Sequence, residues 1–378
     1  MTMNTSTAAA FPAGCTVFRG PLLHFIGEPG LTQPNPDSYE YHADGLLVVA
    51  DGRVLANGAA TDLLPRLPAG TEVEQWPDSL IIPGLIDTHV HMPQLAVMAS
   101  YGTQLLEWLE TYTFPTEARF ADAGWSADQS QLFLDLLLAH GTTSALVFST
   151  SHKVAAEALF SAADGYNMAI TTGKVMMDCH APDGVRDETE ASYSESRELI
   201  ERWHGKGRQR YAVTPRFAAT STVQQLTYAG QLVAEYPDVL MQTHWAENHA
   251  EIAWIKELFP ERSSYLDVYD HFGLLGERSV LAHGIHIDDG DRARLAETGT
   301  RIAFCPTSNT FLGSGLFDLA SARAAEVQVG LATDVGGGTS LSMLATMAEA
   351  YKVCQLRGQS LNPFQAFYMA TLGNAHVL

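Results

Sequence analysis

Short apolar runs, each closing on a polar or ionisable residue, recur along most of this chain. In order they read SLIIPGLID, TTSALVFS, NMAITTGKVMM, RYAVTPRF, VLMQTHW, RSVLAHG, TRIAFCP and VQVGLATD. Runs so continuously apolar predict strands buried on both faces, as in a parallel sheet. Between them lie longer stretches with helical spacing, among them DQSQLFLDLLLAHG, TVQQLTYAGQLVAEYP and NHAEIAWIKELFP. Eight strand-like runs alternating with helices over roughly 270 residues predict an α/β fold of the (β/α)8 TIM-like barrel type, over 81–378. A doubly wound open sheet is the alternative. Earlier, from Phe18 to Trp76, the pattern is of short strands and turns, and Asp51-Gly52 between two β-prone runs predicts a hairpin. Residues 1–80 are therefore expected to contribute the N-terminal part of a small β-sandwich domain.

The polar residues sit where a barrel would use them. The runs end in Asp87-Thr88-His89-Val90-His91, Thr214-Pro215-Arg216, His244, His283 and Asp334. Barrel enzymes build their sites at the C-terminal ends of their strands. Alternate residues of a strand share a face, so His89 and His91 can chelate one ion. Alone, such a pair is as compatible with two surface histidines. With His244 and Asp334 it completes a set of three nitrogens and one carboxylate, which suits a catalytic zinc with room for water. Iron or manganese would accept the same donors.

Glu247, three residues past His244, is expected to work as a proton shuttle beside the metal; the alternative is a solvated acid in the first turn of a helix. His283 is expected to hydrogen-bond the attacking water rather than ligate. Two-metal barrels place a carboxylated lysine at the fourth strand end, where this chain has Arg216, so one metal is expected. Lys174 is the alternative bridging ligand.

Composition adds exclusions. The 378 residues carry 22 Lys plus Arg against 43 Asp plus Glu, a formal charge of −21. Such a field repels polyanions, so neither nucleic acid nor an anionic membrane is an expected partner. Four scattered cysteines, without CxxC spacing, read as free thiols in a reducing cytoplasm. The start, MTMNTSTAAAFPAG, lacks the basic and apolar regions of a signal peptide, and no run is long enough to span a membrane. The HxE…PCxxC signature of one zinc deaminase class is absent.

Taken together, PGLIDTHVH, TPRF, THWAEN, LAHG, CPTSN and ATDVGGG resemble the amidohydrolase superfamily. His91-Met92-Pro93-Gln94, Leu105 to Leu109 with Tyr112-Thr113-Phe114-Pro115, and Thr214 to Phe217 narrow the resemblance to its guanine deaminase family. That resemblance implies hydrolytic deamination of guanine to xanthine and ammonia by a zinc-activated hydroxide, with one Zn2+ per chain. It implies His89, His91, His244 and Asp334 as ligands, with Glu247, Asp334 and His283 catalytic. Gln94, Arg216 and Phe217 would hold the purine beside His244, Glu247 and Asp334. An arginine fork and a glutamine amide match guanine's carbonyl edge, and a phenyl ring matches its face. For Arg216 the alternative is an ion pair with a nearby acid. A homodimer is the expected assembly. Deamination or dechlorination of an 8-oxopurine, pterin or triazine is the rival chemistry, and an inactive scaffold the rival class. Family members continue beyond the segment ending here at Leu378, so return strands completing the sandwich are expected to be missing.

Overall fold

The computed structural model describes residues 10–101 and 104–378. Most of the N-terminal stretch read above for a leader lies outside the described residues. The chain divides into two compact units, Met1–Pro83 and Gly84–Leu378.

The first unit is a sheet of β1 (Thr16–Phe25), β2 (Tyr39–Ala50), β3 (Arg53–Ala59) and β4 (Glu74–Gln75), in the order β3-β2-β1-β4. The expected hairpin joins β2 to β3. Asp51 and Gly52 both take positive φ, 50° and 70°, the combination a tight turn between twisted strands needs. Val17, Leu46, Val48 and Leu63 form its core.

The second unit is the barrel. Its parallel strands are β5 (Leu85–His91), β6 (Thr142–Phe148), β7 (Ala169–Gly173), β9 (Arg210–Pro215), β10 (Leu240–Trp245), β11 (Ser279–His283), β12 (Arg301–Phe304) and β13 (Val329–Leu331). The run expected as one third strand breaks at Lys174, and its remainder, β8 (Val175–Met176), pairs separately with β9. Side chains and two backbone bonds join the first strand to the last. His91 N–H donates to Val335 O (2.7 Å) and Asp334 N–H to His89 O (2.9 Å). Near the other end, Asn374 Nδ2 donates to Ile86 O (2.6 Å) while its Oδ1 accepts from Leu331 N–H (2.8 Å).

Several of the intervening helices start on side-chain caps that satisfy otherwise orphaned N–H groups. Asp122 caps Ala123–Ala139 and Thr222 caps Val223–Glu235. Asn248 and Glu251 form a capping box on His249–Leu258. No helix among the described residues is long and apolar enough to cross a membrane.

Candidate active site

The strand ends converge on one buried cluster. His89 and His91 share a face of β5, as their spacing requires. His89 Nε2 lies 3.2 Å from His91 Nε2, which lies 3.1 Å from His244 Nε2. Asp334 Oδ1 is 3.2 Å from both His89 and His91 Nε2. A tetrahedron with metal arms of about 2.0–2.1 Å has edges of about 3.3 Å, so these spacings fit one small cation. His283 also belongs to the cluster: its donor atom and those of His89, His244 and Asp334 all lie within 4.8 Å of one another. Its Nε2 nevertheless lies nearer Glu247 Oε2 (3.3 Å) than Asp334 Oδ2 (3.9 Å). His91, with three donor atoms at 3.1–3.2 Å, is the better fourth member.

Electrostatics favour lone pairs facing this centre. Burial pushes His91 down to about 4, His283 down to about 3, and His244 well below its ordinary value. These imidazoles are neutral at pH 7. Burial alone would raise Asp334, but hydrogen bonds and charge from His89 hold it well below the usual carboxylate range, with His91 adding to this. His244 Nδ1 donates to Arg216 O (2.7 Å), which leaves its Nε2 lone pair for the centre. The Phe148 ring packs 4.6–5.0 Å from the imidazoles of His89, His91 and His244, an apolar floor that the sequence reading did not single out. His283 (φ 77°), Asp334 (φ 50°) and Ala246 (φ 48°) all adopt the left-handed conformation as the chain leaves its strands. Strain of this kind collects at functional sites.

Glu247 is only 2 % exposed, which removes the reading of a solvated helix acid. The acid that caps the following helix is Glu251, which accepts from the backbone N–H of Glu247 (2.9 Å) and of Asn248 (3.0 Å). Ser314 Oγ donates to Glu247 Oε1 at 3.1 Å. Burial, then the charges of Asp334 and Glu251, push the Glu247 carboxyl well above the usual range. Asn309 Nδ2 sits 2.9 Å from His283 Nδ1.

Lys174 does not reach this centre. Its ammonium is buried in an ion pair with Asp187, with Glu195 3.5 Å away, so the bridging alternative is withdrawn.

A cleft opens above the cluster, lined in part by Gln94, Arg216, Phe217, Glu247, Trp108 and Leu109. Arg216 lines the cleft, and its NH1 also donates to Glu117 Oε2 at 2.7 Å, the ion pair given above as the alternative. Gln94 Nε2 donates to the other oxygen of Glu117 at 2.9 Å and also lies 3.1 Å from His91 Nδ1. Glu117 escaped the sequence reading, although it lies two residues past the Tyr112–Pro115 motif.

Residues 80–378 match the amidohydrolase family. The chain is 49% identical to guanine deaminase of Escherichia coli (strain K12) over 335 residues, spanning 89% of this chain and 76% of that protein. It is 40% identical to a probable guanine deaminase of Deinococcus radiodurans over 96% of this chain and 83% of that one. The structure of the E. coli enzyme superposes with a TM-score of 0.91, covering 96% of this chain and 84% of the other at 46% identity. Guanine deaminase from C. acetobutylicum, solved with bound guanine, gives 0.86 at 28% identity, covering 96% and 86%.

Proposed function

The chain belongs to the amidohydrolase family, and from that premise we infer that it hydrolyses guanine to xanthine and ammonia. The observation that carries this is one cleft in which Arg216 and Gln94 stand over a cluster of three imidazoles and a carboxylate. With His91 Nε2 3.1–3.2 Å from donor atoms of the other three, His89, His91, His244 and Asp334 suit a single zinc ion. When bound, such an ion makes water nucleophilic near neutral pH.

The remaining work falls to the chain. Arg216 and Gln94 hold the carbonyl edge of the purine and Phe217 packs on its face, which presents C2 to the cluster. As water adds to C2, Asp334, at the same centre, takes one of its protons, which later restores the Glu247 carboxyl. Burial favours the protonated form of Glu247, which suits donation to ring nitrogen N3; the carboxylate left behind then takes the proton of the new C2 hydroxyl and hands it to the departing amine. His283 hydrogen-bonds the adding oxygen while resting against Glu247. The C2–N bond breaks, ammonia leaves and xanthine remains.

The test is direct. Purified protein supplied with guanine is expected to release ammonia and xanthine in equal amounts. Release from an 8-oxopurine, pterin or triazine but not from guanine would overturn the substrate and keep the family. A cytoplasmic homodimer is the expected setting, to be checked by fractionation and light scattering.

A further inference from the structure

We propose that Glu117 is a specificity-determining positioning residue that sets which way the purine edge is read. The proposal rests on the assignment of Arg216 and Gln94 to that edge. Glu117 is 1 % exposed and is not among the residues lining the cleft, so it acts through its partners. Its two oxygens take one bond each, from Arg216 NH1 (2.7 Å) and from Gln94 Nε2 (2.9 Å). Phe114, three residues earlier in the same helical turn, places its ring 5.1 Å from the Arg216 guanidinium. One turn of helix thus fixes the arginine by charge and by a ring.

The chemistry follows from what a carboxylate can do. It only accepts, so it engages the nitrogen end of Gln94 and leaves the carbonyl end free of it. At that end Gln94 Oε1 accepts from Gly336 N–H at 3.2 Å, consistent with the same orientation, and keeps a second lone pair. The pair offered to a ligand is then a donor, Arg216, beside an acceptor, Gln94 Oε1. Guanine presents the complement, a carbonyl oxygen next to the N1–H. Adenine presents the reverse, an amine next to a bare ring nitrogen. A neutral amide at position 117 could donate to Gln94, permitting the flipped orientation, and would no longer hold the guanidinium by charge.

The experiment uses the full-length metal-loaded protein and two competitive inhibitors of guanine turnover, hypoxanthine and adenine, which share the purine frame and lack a 2-amine. Wild type is expected to bind hypoxanthine far more tightly than adenine. Glu117→Gln is expected to shrink that ratio of inhibition constants by about 10²-fold, the scale of an ångström-level misplacement in a preorganised site, with bound metal retained. A purely structural Glu117 would weaken both inhibitors alike and leave the ratio unchanged, which overturns the proposal. Should Glu117→Gln not fold, Glu117→Asp, whose shorter reach cannot hold both Arg216 and Gln94 in place, is expected to lower the ratio as well. An unchanged ratio in folded, metal-loaded Glu117→Asp would equally overturn the idea. A wild type with no preference for hypoxanthine would instead sink the assignment of Arg216 and Gln94, a separate failure.

Discussion

Asp87 and Thr333 join the first barrel strand to the last beneath the candidate active site. Asp87 Oδ1 accepts from Thr333 N–H (3.1 Å) and from His89 N–H (3.2 Å), while Oδ2 accepts from the Thr333 hydroxyl. His89 lies two residues beyond Asp87, and Asp334 follows Thr333, so one side chain registers two metal-ligand candidates. Asp87→Ala leaves three buried donors without a partner. At about 1–3 kcal/mol for each unsatisfied group, with partial relaxation, the variant should lose about 2–5 kcal/mol of stability. Urea unfolding at fixed metal concentration measures it. A loss below about 0.5 kcal/mol, the level of an ordinary surface change, would mean the closure does not depend on this contact.

The cluster makes a prediction about metal content. Elemental analysis should find about one divalent ion per chain, since a tetrahedral set of this size is used once. Chelation should abolish turnover and lower the melting temperature, because a ligand bound only by the folded state stabilises it. His89→Ala and Asp334→Ala should each lose the ion. Two tightly held ions per chain would contradict the single-site arrangement and require ligands from outside this cluster.

Glu247 should be separable from the metal. Its contacts are Ser314 Oγ and His283, so Glu247→Gln preserves shape and should keep the ion. Turnover should fall about 10²–10⁴-fold, the usual contribution of a general acid–base group, and toward the upper end because the carboxyl is used more than once. Ser314→Ala should fall much less, as it only orients that carboxyl. Metal loss in Glu247→Gln would turn the residue from shuttle into ligand.

Much of this arrangement was legible in the sequence because parallel barrel strands are buried on both faces and read as apolar runs. Their ends stood out as polar residues following such runs, which is how His89, His91, His244, His283 and Asp334 could be gathered before any geometry. The Asn248-His249-Ala250-Glu251 capping box carried a readable signature as well. It could have shown that Glu251, not Glu247, serves the helix. Glu117 was harder. Its partners Gln94 and Arg216 lie 23 and 99 residues away, and only the folded barrel brings a short helical turn beneath both. The break at Lys174 was hidden too, since the residues on either side are equally strand-prone.

Arg216 both lines the cleft and neutralises Glu117, so simple truncation confounds the two roles. Arg216→Ala would strand a buried carboxylate, costing about 3–5 kcal/mol of stability whether or not the arginine touches substrate. Arg216→Lys separates the roles. Lysine keeps a positive charge able to meet Glu117, but it is a point charge without the planar fork that matches a carbonyl edge. If Arg216 reads guanine, Arg216→Lys should stay folded and metal-loaded and lose less stability than Arg216→Ala, because the buried Glu117 keeps a cationic partner. Its kcat/KM for guanine should nevertheless drop by roughly 10–10²-fold, the value of one or two lost hydrogen bonds. If the arginine is only the partner of a buried acid, the same variant should turn over guanine at nearly the wild-type rate. Steady-state kinetics beside a thermal melt distinguishes these outcomes, and wild-type-like kcat/KM in a stable Arg216→Lys protein would remove Arg216 from substrate recognition.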